Sequence, residues 1–195
     1  MKDLKSKGRK LLEPLVNLLV KLHVHPHILS IIGLLLSLGV SVLYAKGFFL
    51  QAGLLLLFAG LFDALDGEVA RKSGLGSTFG ALLDSTLDRF SEFFVFGGLL
   101  YYYHNNIASF VLLYLALFSS LMVSYLRARG EGLGVSVRAG PMDRTGRHFF
   151  LVGATLLGKR TFIILMVVFL VLTMATVVKR WSELYNKFQN RNFII

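Results

Sequence analysis

Six stretches of this chain read as membrane-spanning helices, and that reading narrows the possible folds more than any other feature of the sequence. A helix that crosses a bilayer needs about 20 mostly apolar residues. Windows of that character run over 27–45, 49–71, 79–103, 107–126, 149–157 with flanking residues, and 161–178. The fifth is the shortest and reaches a useful length only if 144–148 continue its helix. With 55% of 195 residues hydrophobic and 16% charged, a soluble domain could not hide so much apolar surface. The expected architecture is an all-α integral membrane protein with six transmembrane helices.

The chain shows no repeat of fixed period and no low-complexity tract, so 1–195 is expected to be one domain with its six-span core at 27–182. Ahead of that core, 1–22 interleave Lys and Arg with Leu11, Leu12, Leu15, Val16, Leu18 and Leu19 at helical spacing. This is the pattern of an amphipathic helix lying on the bilayer surface. A cleaved secretory signal competes with it, but Asn17 and Lys21 interrupt the apolar run and no small-residue cleavage site follows.

Basic residues set the topology, because positively charged loops stay in the cytoplasm. Six spans place the N-terminus, the 72–78 loop, the 127–147 loop and the C-terminal tail on one side. That side holds 18 of the 21 Lys and Arg residues, against Lys46, Lys159 and Arg160 on the other. The expectation is a multi-pass protein of a prokaryotic cell membrane with both termini cytoplasmic. A formal charge of +10 would also suit nucleic acid. These charges flank apolar spans, however, where membrane lipid headgroups and phosphate-bearing substrates are the better partners, so no nucleic acid is expected. Cysteine is absent, which leaves no disulfides and no thiolate metal ligands.

Against this apolar background, six of the eleven acidic residues (Asp63, Asp66, Glu68, Asp84, Asp88 and Glu92) fall between positions 63 and 92. A carboxylate inside a span costs about 2.5 to 3.5 kcal/mol on insertion scales, so it normally faces a cavity or a partner. Asp63 and Asp66 are three residues apart and Asp84 and Asp88 four apart, so each pair shares a helix face. If the glycine-containing stretch 73–78 is a turn between antiparallel helices, Asp63 lies level with Asp88, and Asp66 with Ser85 beside Asp84. Four anions at one depth need cations. All-carboxylate coordination favours hard ions, and Mg²⁺ or Mn²⁺, two ions more readily than one, suit a site completed by phosphate oxygens. Gly67, Ala70 and Gly80 let a ligand or a backbone approach, although the same residues could form only a helix-packing seam. Arg71 is placed to pair with the carboxylates or with a phosphate.

The string Asp63-x-x-Asp66-Gly67-x-x-Ala70-Arg71-x8-Gly80-x3-Asp84-x3-Asp88 resembles the signature of the CDP-alcohol phosphotransferase family, matching at every fixed position. The resemblance implies transfer of a substituted phosphoryl group from a CDP-linked donor to an alcohol, with release of CMP. By position it makes Asp63, Asp66 and Asp84 metal ligands, and Asp88 both a ligand and the catalytic base. Gly67, Ala70, Arg71 and Gly80 would border the cytidine diphosphate with Asp66. Upstream, Pro26-His27-x-x-Ser30 stands where family members often carry Pro-Asn-x-x-Thr, so Ser30 takes the place of a donor-contacting threonine. His23, His25 and His27 have no acidic neighbours in sequence and read as surface residues rather than metal ligands.

The stretch 125–134 and the later Gly140-x3-Arg144-x2-Arg147 resemble the branch of the family that uses inositol phosphate, with departures at Gly130 and Pro141. An acceptor bearing a phosphomonoester needs a basic pocket, and Arg127, Arg147, Arg144 and Arg180 are its candidates, since guanidinium forks suit phosphate oxygens. Positive-inside anchoring is their alternative reading. The resemblance further implies a CDP-lipid donor such as CDP-diacylglycerol or an ether-linked analogue, and a homodimer. Another alcohol acceptor such as glycerol phosphate, or a CDP-polyol donor, stays open. Polyprenyl transferases also hold Mg²⁺ on aspartates but lack the Gly-x-x-Ala-Arg element. An ion transporter would explain the carboxylates but not Arg71 and the basic 127–147 stretch.

Overall fold

The structure is a computed structural model that describes the backbone of residues 2–189 and the side chains of residues 12–189. Leu11, the basic residues at 2–10 and Arg191 lie outside the described side chains. The described residues form seven helices and no strand: α1 (Lys2–Lys21), α2 (Pro26–Ala45), α3 (Phe49–Ser73), α4 (Thr78–Tyr102), α5 (Ile107–Gly132), α6 (Arg144–Leu156) and α7 (Lys159–Gln189).

Local chemistry sets most of these limits. The His25 ring, Ser77, Asn106 and Asp143 each accept a backbone N–H in the first turn of α2, α4, α5 and α6, satisfying donors that a helix start leaves orphaned. Pro26 opens α2, where its missing N–H costs nothing. Gly74 ends α3 at φ 71°, a left-handed cap that favours glycine.

Helices α2, α3, α5 and α7 are long and apolar enough to cross a membrane. The 25-residue α4 matches them in length but carries Asp84, Asp88, Arg89 and Glu92. Helix α6 does begin at Arg144, so 144–148 continue the fifth window, yet it has only 13 residues. At about 1.5 Å per residue it is roughly 20 Å long, short of a hydrocarbon core of about 30 Å. The protein is thus an all-helical integral membrane protein. Helix α1 packs on α3 through Val16, which joins Leu29, Leu65 and Val69 in a small apolar cluster.

One expectation needs correcting. The direct α3–α4 hairpin does not form along its length; α2 packs extensively against both helices and lies between them. Small residues permit this. A Cβ on Gly98 of α4 would run into the backbone of Ser41 in α2, and one on Gly39 of α2 would meet Leu55 of α3 at 3.1 Å. Spans lacking a hydrophobic driving force associate where backbones approach so closely. At the ends remote from Gly74, Tyr44, Phe49 and Phe162 join the main core. Toward Gly74, α3 and α4 border cavities instead.

Candidate metal and donor site

Asp63 and Asp66 project from the second half of α3, and Asp84 and Asp88 from the first half of α4. One carboxylate oxygen each from Asp63, Asp66 and Asp84 lie within 4.8 Å of one another, a spacing that a single cation could bridge. Asp66 is buried, 6% exposed, and accepts a 2.7 Å hydrogen bond from Ser30 Oγ of α2. The intervening helix therefore orients a carboxylate of its neighbour. Asp88 is not one of that trio, but one of its oxygens shares Arg144 Nη2 with Asp63. Its side chain is 10% exposed and pairs with Arg144, with Arg89 Nη2 at 3.8 Å from its other oxygen. The convergence expected from helix spacing is present, brought about through α2.

Two cavities meet at these carboxylates. The smaller, about 210 Å³, is lined by His27, Ser30, Gly67, Ala70, Arg71 and Gly80, with Asp66 and Asp84 at its inner end. The larger, about 640 Å³, runs along α3 past Leu56, Leu57, Phe58 and Leu61 and takes in all four aspartates, Arg89, Glu92, Arg144, Arg147 and His148. Ser30, Asp66 and Asp84 line both. A Cβ on Gly67 would meet nothing nearer than Arg71 Nη1 at 3.5 Å, so helix packing does not require glycine there and the space belongs to the cavity. Gly80 is tighter: its Cβ would stand 3.0 Å from His27 Cε1. Arg71 pairs with Glu68 at 2.7 Å on its own helix while lining the small cavity.

The four candidate acceptor arginines are placed unequally. Arg144, at the start of α6, donates to both Asp63 and Asp88 and lies 3.9 Å from Asp84, tying α6 to α3 and α4. Arg147 is 4% exposed; it donates to Glu92 at 3.3 Å, the Met142 carbonyl at 3.2 Å and Ser124 at 2.9 Å. Arg180 is 3% exposed and donates to the carbonyls of Val123 and Ala139. Arg127 is exposed and pairs with Glu131 one turn along α5. Arg144 and Arg147 thus line the large cavity, and Arg127 and Arg180 do not. Val123, Ser124 and Arg127 sit close together on α5, which keeps the buried pair near the exposed one.

Several lining residues are marked weakly or not at all by the sequence patterns. Glu92 accepts from both Ser120 and Arg147, and Arg89 and His148 face the large cavity. Glu92 and Arg89 were legible as charges in an apolar segment, one turn and one residue beyond Asp88. His27, read as a surface residue, instead lines the small cavity against Gly80 and Phe79. No pattern in the sequence marks His148.

An all-helical membrane protein whose aspartates stand where a small cavity meets a larger one walled along α3 by leucine and phenylalanine fits the class of enzymes that act where lipid meets water. A sequence model of the CDP-alcohol phosphatidyltransferases matches residues 23–186, and the chain belongs to that family. It is accordingly a membrane phosphotransferase. A phosphatidylinositol phosphate synthase of Corynebacterium glutamicum is 36% identical over 161 residues, covering 77% of this chain and 74% of the relative. An archaetidylinositol phosphate synthase of Methanothermobacter thermautotrophicus is 36% identical over 130 residues, covering 67% and 65%. The crystal structure of Mycobacterium tuberculosis phosphatidylinositol phosphate synthase with CDP-DAG bound superposes with a TM-score of 0.80 at 27% identity, covering 88% of this chain and 92% of that one. The same enzyme in complex with manganese and citrate also gives a TM-score of 0.80 at 27% identity, with 88% of each chain covered.

Proposed function

We propose that this enzyme transfers the lipid phosphate of CDP-diacylglycerol, or of an ether-linked analogue, to a hydroxyl of inositol phosphate, releasing CMP in phospholipid biosynthesis. One observation carries the reading: Ser30, Asp66 and Asp84 line both the small cavity bordered by the family signature and the large cavity holding Arg144 and Arg147. A donor with its diphosphate at that junction would point its nucleotide into the glycine-lined cavity and its tails along the apolar face of α3. The relatives named for inositol phosphate products favour that acceptor over glycerol phosphate.

The donor set fits hard divalent ions, with Asp63, Asp66 and Asp84 as ligands and Asp88 completing a two-ion site for Mg²⁺ or Mn²⁺. When bound, such ions polarise the diphosphate and neutralise charge on departing CMP. Asp88, outside the tight trio, takes the proton of the acceptor hydroxyl. The freed oxygen attacks the lipid-bearing phosphorus, and the bond from that phosphorus to the CMP oxygen breaks. Gly67, Ala70, Arg71, Gly80 and Ser30 border the nucleotide. Arg144 and Arg147 face the acceptor phosphate, with Arg127 and Arg180 supporting them from α5 and α7.

The same reading takes the whole chain as one domain, with α2 to α7 as six spans and α1 on the cytoplasmic surface. The excess of Lys and Arg near the Gly74 end supports a site that opens to the cytoplasmic side. The family resemblance is what supports reading the enzyme as a homodimer. Purified protein in CDP-diacylglycerol vesicles should release CMP with Mg²⁺ and inositol phosphate, and not with EDTA. Release with glycerol phosphate alone would move the acceptor assignment. Absence of release with any polyol phosphate would sink the reading.

A further inference from the structure

The segment joining α5 to α6 is laid along the second half of α7 by a ladder of hydrogen bonds. Thr176 Oγ1 accepts from the Met142 N–H at 3.3 Å, and Arg180 Nε donates to the Ala139 carbonyl at 3.0 Å. Glu183 accepts from the Ala139 N–H at 3.3 Å, and Lys187 Nζ donates to the Ser136 carbonyl at 2.8 Å while pairing with Glu183. Positions 176, 180, 183 and 187 share one face of α7. Their partners run backward along the loop, so helix side chains satisfy backbone groups that neither helix nor sheet would.

The loop is shaped for this contact. Gly140 has φ 99°, and a Cβ on it would collide with Thr176. A Cβ on Gly130 would stand 2.8 Å from Leu184 and 2.9 Å from the Val135 carbonyl. Val135 and Val137 are buried with Leu126 and Leu184 beneath the ladder. The opposite face of α7 presents Met174, Val178, Trp181 and Tyr185 outward. At roughly 1.5 Å per residue the 31-residue α7 outruns a hydrocarbon core of about 30 Å by some ten residues. Trp181 and Tyr185 then fall at headgroup depth, where such aromatics collect. The loop leads directly into Asp143, which caps α6, and into Arg144 and Arg147.

We propose that Thr176, Glu183 and Lys187 are positioning residues for the acceptor side of the reaction. Through the 136–142 backbone they fix where α6 begins, and so where Arg144 and Arg147 stand over the carboxylates. None of the three lines either cavity, so their effect passes through the loop. The proposal rests on the reading that Arg144 and Arg147 face the acceptor.

Glu183→Ala tests it, with Glu183→Gln, which keeps an acceptor for the Ala139 N–H, as the conservative control. Removing one ordinary hydrogen bond corresponds to a roughly fivefold change in an equilibrium. Glu183→Ala should therefore raise the acceptor KM about fivefold and leave the donor KM within about twofold, a split that marks an acceptor-specific effect. Trypsin should also cut faster after exposed Arg138 in the folded, vesicle-bound enzyme, and Glu183→Gln should restore both values. Should Glu183→Ala fail to fold, Lys187→Met at its exposed position repeats the measurement. An unchanged acceptor KM, or equal rises in both KM values, overturns the proposal whatever the protease shows. If wild type ignores inositol phosphate, the acceptor reading fails by itself, and the effect of the loop ladder is measured with the alcohol that wild type does use.

Discussion

The end of the bundle near Tyr44 and the end near Gly74 handle polar atoms in hydrocarbon in opposite ways. Near Tyr44 they are closed on each other: Tyr44 shares a 2.6 Å hydrogen bond with Thr155 inside a cluster of rings, with Phe49 at 5.5 Å and Phe162 at 6.3 Å. Between α5 and α7, Ser119 and Thr173 pair at 2.7 Å. Near Gly74 the arrangement stays open. Arg89 Nε, Glu92 Oε2 and His148 Nε2 are the buried side-chain polar atoms without a hydrogen bond among the described residues, and all three residues line the large cavity. Buried polar groups are nearly always satisfied, so such exceptions mark where a ligand or water belongs. A packed, dry end supports the same helices where they border a cavity lined with charged groups.

The widest separation between the two ends should come from Asp88→Asn. Asparagine keeps the size of the side chain but cannot take the hydroxyl proton, and general-base contributions run to about 10² to 10⁴-fold. Turnover should fall by that factor while CDP-lipid binding and the thermal midpoint stay near wild type. Near wild-type turnover would remove Asp88 from the base role. A large loss of thermal stability would mean that the pairs Asp88 makes with Arg144 and Arg89 belong to the scaffold.

Gly98→Ala is the mirror experiment. Its Cβ would meet the backbone of Ser41, which cannot rotate away as a side chain can. Overpacking of this kind costs about 1 to 3 kcal/mol. A lower thermal midpoint in detergent is expected, with both KM values unchanged in the protein that remains folded. An altered KM with full stability would show that the packed end is coupled to the site and is not merely its support.

How much of this contrast was legible beforehand depended on whether the signal was local. The aspartates were readable because charges at helical spacing in an apolar run are too costly to persist unless they face a ligand or a partner. Gly67 and Gly80 were readable because they stood in register with those charges. The insertion of α2 between α3 and α4 was not readable. It depends on Gly39 and Gly98 meeting partners on other helices, and a glycine in a span looks the same whether it packs or lines a cavity. Arg180 and Arg127 illustrate the same limit. Both are basic residues just past an apolar run, and only the fold separates the one buried on the Val123 and Ala139 carbonyls from the one exposed beside Glu131.

Gly67→Ala sharpens that point at smaller cost. A methyl at Gly67 meets only the Arg71 guanidinium, the far end of a flexible side chain, so the fold should not notice it. It would stand in the small cavity, where the nucleotide is proposed to lie. About 1.4 kcal/mol of lost contact would raise the donor KM tenfold. The comparison with Gly98→Ala matters more than either value: the same chemical change should be read by stability at one end and by donor affinity at the other. Equal thermal losses in both variants would make Gly67 a packing residue and the cavity incidental.

Tyr44→Phe should give the smallest effect and places a lower bound on the contrast. It deletes one hydroxyl from the packed end and leaves Thr155 with its second bond, to the Leu151 carbonyl at 2.7 Å, so no donor is stranded. Side-chain hydrogen bonds between membrane helices average about 0.6 kcal/mol, because the alternatives in the bilayer also find partners. The ring keeps its contacts with Phe49 and Phe162. A thermal shift near the limit of detection and wild-type kinetics are therefore expected. A loss of several kcal/mol would mean that the polar pair, and not the ring packing, holds the dry end together. The tolerance of the open end for its unpaired atoms would then rest on that single bond.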